Sequence, residues 1–114
     1  MRELKEQVLS IIFNRLKEDR CLVLLFGSTA LGEDTERSDI DIGIDCAGGL
    51  EDEDFLSLKE ELNLYVDTPR RIDLVELRRL PFDFLEFALR GAVIWHVGKD
   101  YLKNWLKQEG LTKS

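Results

Sequence analysis

The run SDIDIGID, residues 38–45, sets acids at Asp39, Asp41 and Asp45 with isoleucine at 40, 42 and 44. Strict alternation of this kind is the pattern of a half-buried β-strand. It divides Ile40, Ile42 and Ile44 from Asp39, Asp41, Gly43 and Asp45, one row on each face. Aspartate is a poor strand former, so a row of them needs a cause. Alternate strand residues lie ~6.5–7 Å apart at Cα, close enough for two carboxylates to lean onto one metal ion. Unanswered, two like charges at ~6 Å and an effective dielectric of ~20 repel by roughly 3 kcal/mol. A small domain has only about 5–15 kcal/mol of net stability. A third acid, Asp73, stands within the apolar run RRIDLVEL, where a carboxylate needs a partner or water. If its strand lies beside that of Asp41, three hard oxygen donors gather. Such a set suits Mg²⁺, or Mn²⁺ in its place, sharing a coordination shell with phosphate. Asp45 has the same parity but sits near the Gly48-Gly49 break, and turn formation is its expected role.

A second group precedes this strand. Phe26-Gly27-Ser28 closes the apolar run CLVLLF and opens a polar stretch. Gly27 lets the backbone approach a ligand closely. Ser28 offers a hydroxyl and an amide, and a helical turn over STALG would aim free N–H groups at an anion. Phosphate donors and cation ligands would then come from neighbouring strand ends, as phosphoryl chemistry requires.

The elements that must hold these residues are legible from periodicity. Leu4, Val8, Ile11, Ile12 and Leu16 recur at helical spacing, as do Phe55, Leu58, Leu62 and Tyr65. The EDED run ahead of the second stripe reads as a solvated first turn that complements the helix dipole. Residues 21–26, with no polar side chain, predict a central strand covered on both faces. Strands are expected at 39–45, 70–77 and 92–97, a short helix at 82–90 between Pro81 and Gly91, and a last helix capped by Asp100 carrying Leu102, Trp105 and Leu106. Helices interspersed with four short strands predict an α/β (α+β) sandwich of sheet and helices, one domain over 1–114.

Composition narrows the partners. The chain has 114 residues, 44% hydrophobic and 34% charged, with a formal net charge of −7. That charge argues against nucleic acid, whose binding needs Lys and Arg to displace counterions. It leaves room for a bound cation or a basic partner protein. No apolar run reaches the ~18 residues of a membrane span, and MRELKEQVLS does not read as a signal peptide. A cytoplasmic location follows as an expectation, with Cys21 and Cys46 as buried free thiols.

Gly27-Ser28, ten residues from Thr29 to Ser38, Asp39-Ile40-Asp41, and later Asp73 together resemble the motif of the polymerase-β-type nucleotidyltransferase superfamily. FGSTALGEDTERSDIDIGI looks most like its minimal nucleotidyltransferase (MNT) group, over most of the chain. The resemblance implies a nucleotidyltransferase fold with a small mixed sheet and flanking helices. It also implies two Mg²⁺ ions held by Asp39, Asp41 and Asp73, these three as catalytic residues, and ATP phosphates bound at Gly27 and Ser28. Family members often carry a basic residue after the serine. Thr29, Ala30 and Leu31 supply none, so Arg37, Arg70 or Arg71 would have to substitute.

Minimal members typically pair with a helical HEPN protein, as antitoxin to a ribonuclease toxin. The resemblance therefore implies transfer of AMP from ATP to a tyrosine hydroxyl of a HEPN partner. Two alternatives stand beside it: an antitoxin acting by binding alone, and a transferase acting on a small alcohol. The remaining distinctive residues have ordinary expected roles. His96 reads as an edge-strand residue, Trp95 and Trp105 as core or partner anchors, Arg70-Arg71 and Arg78-Arg79 as solvated strand ends, and Asp67 and Glu76 as surface acids.

Overall fold

The computed structural model describes residues 2–108, so the expected span 1–114 extends past the described residues at both ends. The apolar run forms β1 (Cys21–Phe26). It lies inside a four-stranded mixed sheet of order β3-β2-β1-β4. β2 (Ile40–Cys46) and β4 (Val93–Val97) flank it antiparallel, and β3 (Ile72–Glu76) runs parallel to β2. Both faces of β1 are covered, which is why its sequence does not alternate. Cys21, Val23 and Leu25 face one cluster, Leu24 and Phe26 the other.

The larger cluster lies under α1 (Arg2–Arg15) and α3 (Asp52–Tyr65). Val8, Ile12, Leu58 and Leu62 meet Ile40, Ile42 and Ile44 there. Each fully buried isoleucine contributes about 1.5–3 kcal/mol, which fixes the register of β2. On the opposite face α4 (Phe82–Leu89) sets Leu85 and Ala88 against Leu24, Phe26 and Leu77. Gly43 falls in the acidic row for a steric reason. A Cβ there would stand 2.9 Å from Leu24 Cδ1 and 2.7 Å from Leu77 Cδ2.

α2 (Gly27–Leu31) supplies the helical turn after β1, and Gly32 ends it in a left-handed conformation (φ 73°). The loop returning to β2 is held by Arg70. Its guanidinium donates to Asp34 Oδ2 (2.8 Å), Thr29 Oγ1 (2.7 Å) and the Ser38 carbonyl (2.8 Å). α5 (Lys99–Gln108) follows β4 and is tied back where the Tyr101 hydroxyl donates to Asp45 Oδ2 (2.8 Å). Burial, then that hydrogen bond, pushes the Tyr101 phenol well above its usual range.

Several expectations change. Asp39 precedes β2, and Arg70, Arg71 and Leu77 lie outside β3. Tyr65 is exposed because Val66, as the chain leaves α3, takes the inward place. Asp100 lies in the first turn of α5 rather than at its cap. Glu76 is not a surface acid. It shares the parity of Ile72 and Leu74 and is 3% exposed. There it accepts from the Leu50 amide (3.2 Å) and from Arg79 (2.6 Å). The cysteines are not free thiols. Cys21 and Cys46 are cross-strand partners with Cα atoms 4.0 Å apart, and they form a disulfide. Spacing in the sequence hid this, because only the antiparallel register brings them together. The bond also removes the free-thiol argument for a cytoplasmic location. Among the described residues no helix is long and apolar enough to cross a membrane.

Candidate active site

The end of β1 and the beginnings of β2 and β3 share one edge of the sheet, so the motif residues meet there. Asp41 is the cross-strand partner of Phe26 on one side and of Asp73 on the other. Side chains in register on adjacent strands point to the same face. Asp41 and Asp73 therefore stand together on the face opposite α1 and α3. Burial, then the charges of Asp73 and Asp39, raises the Asp41 carboxyl above its ordinary value. Gly27 packs against it with φ 73°, and a Cβ at Gly27 would collide with Asp41 Oδ2. Positive φ and that contact both require glycine.

Asp39 is arranged differently. Its half-exposed carboxylate turns to Arg71 Nη1 at 3.9 Å, a loose surface pair of small energetic weight. Among the described residues no three Asp, Glu, His or Cys side chains are gathered as placed to hold a metal ion. The structure thus brings Asp41 and Asp73 together and turns Asp39 toward Arg71 instead. Asp45, at the far end of β2, is engaged by Arg78 (2.7 Å) and Tyr101. It holds an element junction rather than a ligand.

A pocket of about 430 Å³ opens directly over the carboxylate pair. It is lined by Phe26, Asp41, Asp73 and Val75 of the sheet, Gly27 and Leu31 of α2, Phe84, Phe87 and Ala88 of α4, and Arg90 and Gly91 just after α4. Ser28 and Asp39 lie outside this lining. Of the three arginines expected to compensate for the neutral loop, Arg70 is committed to its clamp and Arg71 faces Asp39. The cation lining the pocket is Arg90, exposed and only 4.0 Å from Glu86. Sequence reasoning missed Arg90, Phe84 and Phe87. A usable signal was present: FDFLEFAL is apolar around most of its circumference, more than one buried face needs. His96 has other partners, the Glu18 carbonyl (2.8 Å) and the Phe13 ring (4.6 Å). Trp95 is core, whereas Trp105 is exposed.

Such an arrangement can bind a divalent cation with a phosphorylated ligand and bring a second reactant to it. Comparison with known proteins identifies the family and the fold. No curated protein matches the sequence. A structure described as a minimal nucleotidyltransferase is 32% identical, with a TM-score of 0.62, covering 81% of this chain and 89% of the other. A toxin–antitoxin complex solved with AMP-PNP superposes with a TM-score of 0.69 at 20% identity, over 94% of this chain and 88% of the other. The complex of a tri-AMPylated Shewanella oneidensis HEPN toxin with its MNT antitoxin gives 0.66 at 18% identity, over 96% and 87%. The polymerase beta nucleotidyltransferase family model matches residues 7–99. The chain therefore belongs to the polymerase-β-type nucleotidyltransferases and has the mixed-sheet fold of that family, as its spaced Gly-Ser and aspartates imply.

Proposed function

We propose that the protein transfers AMP from ATP to a hydroxyl, a tyrosine of a HEPN partner protein, and so acts as the antitoxin of a toxin–antitoxin pair. The observation that carries the reading is the register pairing of Asp41 with Asp73 beside the Gly27 turn. The donor set fits Mg²⁺: two adjacent carboxylates, one with its pKa raised by burial and by its acidic neighbours, and a third, Asp39, held only loosely elsewhere. Asp41, Asp73 and Asp39 would hold the ions, which supply charge neutralisation for the attacking and leaving oxygens.

The chain's own residues do the rest. Gly27 and Ser28 orient the β- and γ-phosphates, and Arg90 adds the cation that the loop after Ser28 lacks. The acceptor oxygen attacks the α-phosphorus, the bond to the leaving pyrophosphate breaks, and the Asp73 carboxylate takes the hydroxyl proton. A partner-borne acceptor is supported by uncovered apolar surface. Leu22 and Val97, and Leu24 and Ile94, are cross-strand partners, so Ile94 and Val97 lie on the pocket's face of the sheet. Both are exposed, as are Leu102 and Trp105 on α5, a surface of the kind that marks protein contacts.

With Mg²⁺ and α-labelled ATP, label is expected on the partner's tyrosine and to vanish in Asp39→Asn/Asp41→Asn. Label that persists in that variant removes these carboxylates from the reaction. The neutral loop Thr29–Leu31 favours a second reading, neutralisation by binding alone. Under it, the same variant would still protect cells fully.

A further inference from the structure

We infer that Phe84 and Phe87 form a receiving face for a flat aromatic ring beside the carboxylate pair. This deepens the transfer reading and rests on it. Phe84, Phe87 and Ala88 follow the i, i+3, i+4 spacing of one helical stripe of α4, and all three line the pocket. α4 is fastened to the sheet by Leu85 and Ala88, so neither phenylalanine belongs to the set that anchors it. Phe84 and Phe87 are therefore not needed to anchor the helix; they are 51% and 70% exposed. Phe82, exposed as well, does not line the pocket, so exposure alone does not define the set.

Another side of the pocket is closed by contact. A Cβ on Gly91 would collide with Leu31 Cδ2, so α2 and the chain leaving α4 touch there. The lining thus combines aromatic and aliphatic groups with two carboxylates and one guanidinium, that of Arg90. Lining of this kind binds a planar ring by stacking and reads little of its edge, because stacking depends on the π-face that every base or phenol has.

Two rings have business beside Asp41 and Asp73: the base of the donor nucleotide and the phenol of the acceptor. The probes are Mg²⁺-ATP, Mg²⁺-tripolyphosphate (the same charge without a ring) and N-acetyltyrosinamide, each titrated against the whole chain by calorimetry or ligand-observed NMR. The variants are Phe84→Leu/Phe87→Leu, which keeps apolar bulk, and Phe84→Tyr/Phe87→Tyr, which keeps the rings. If the donor base stacks here, the leucine variant weakens ATP by about 5–30-fold. Tripolyphosphate affinity then stays constant, and the tyrosine variant restores ATP. If the acceptor phenol stacks here, ATP is unchanged and N-acetyltyrosinamide binding is lost and restored in the same way. The inference is overturned if the leucine variant binds both ring ligands as the parent does. It is equally overturned if that variant also loses tripolyphosphate, or if the tyrosine variant restores nothing. Failure of the transfer reading shows separately, as full label transfer by Asp39→Asn/Asp41→Asn.

Discussion

Asp41 carries an energetic conflict that a single substitution can expose. Burial and the charges of Asp73 and Asp39 raise its carboxyl above the ordinary 3.8. An acid whose folded value is raised binds protons more tightly in the native state than in the unfolded one. Stability then falls as pH rises through the interval from 3.8 to the raised folded value, and the cost is complete above it. In chelator-treated buffer, Asp41→Asn should therefore unfold at a higher temperature than the parent at pH 7. The gap should narrow as pH drops through that interval and close well below 3.8, where the parent's carboxyl is protonated in both states. Saturating Mg²⁺-ATP should reverse the order by stabilising only the chain that binds it. Thermal melts at a series of pH values check both statements. A variant that melts below the parent across the whole range would show that the carboxylate's local contacts outweigh its repulsion.

At the scale of elements, the loop between α2 and β2 depends on one side chain from just before β3. Arg70 is 15% exposed, and its three bonds join Thr29 of α2, Asp34 of the loop and Ser38 next to Asp39. Hydrogen bonds to charged groups are worth about 1.5–3 kcal/mol, and truncation also strands the buried Thr29 hydroxyl. Arg70→Ala should lower unfolding free energy by about 2–3 kcal/mol in chemical denaturation. Arg70→Lys should recover less than half, because an ammonium cannot reproduce a fork aimed at three separate oxygens. This clamp was not legible in the sequence. Arg70-Arg71 reads as a solvated strand end until β3 is known to lie parallel to β2, which brings Arg70 alongside Ser38. The strands and helices themselves were legible, since period-2 and period-3.6 patterns survive in 40–46, 2–15 and 52–65. The aspartates were legible too, because parity alone puts Asp41 and Asp73 opposite the buried isoleucine and leucine rows. Glu76 was not: its parity marks it as inward-facing, but only the Leu50 amide and Arg79 explain how a carboxylate is tolerated there.

Across the whole molecule, the sheet is fastened at two opposite ends. At the end that carries the candidate site, β1, β2 and β3 meet through Phe26, Asp41 and Asp73, beside the loop that Arg70 clamps. At the far end the fastenings are the Cys21–Cys46 bond and the Asp45, Arg78 and Tyr101 network, with Arg78 also donating to the Cys46 carbonyl (2.6 Å). Because the two ends are joined by the continuous ladder of β1 and β2, loss of the covalent tie should lower global stability without reshaping the pocket. A bridge spanning 25 residues of sequence restricts the unfolded chain. By loop-closure entropy this is worth about 3.5 kcal/mol, less whatever structure the reduced unfolded chain retains. Cys21→Ala/Cys46→Ala removes the bridge without leaving thiols in the core. It should shift the denaturant midpoint downward by an amount approaching that figure, with Mg²⁺-ATP affinity measured well below the midpoint unchanged. Equal midpoints with and without the bridge would mean that the antiparallel register already supplies all the restraint. A loss of nucleotide affinity at full foldedness would mean instead that the two ends are coupled through β2, and that the bond at one end sets the position of Asp41 at the other.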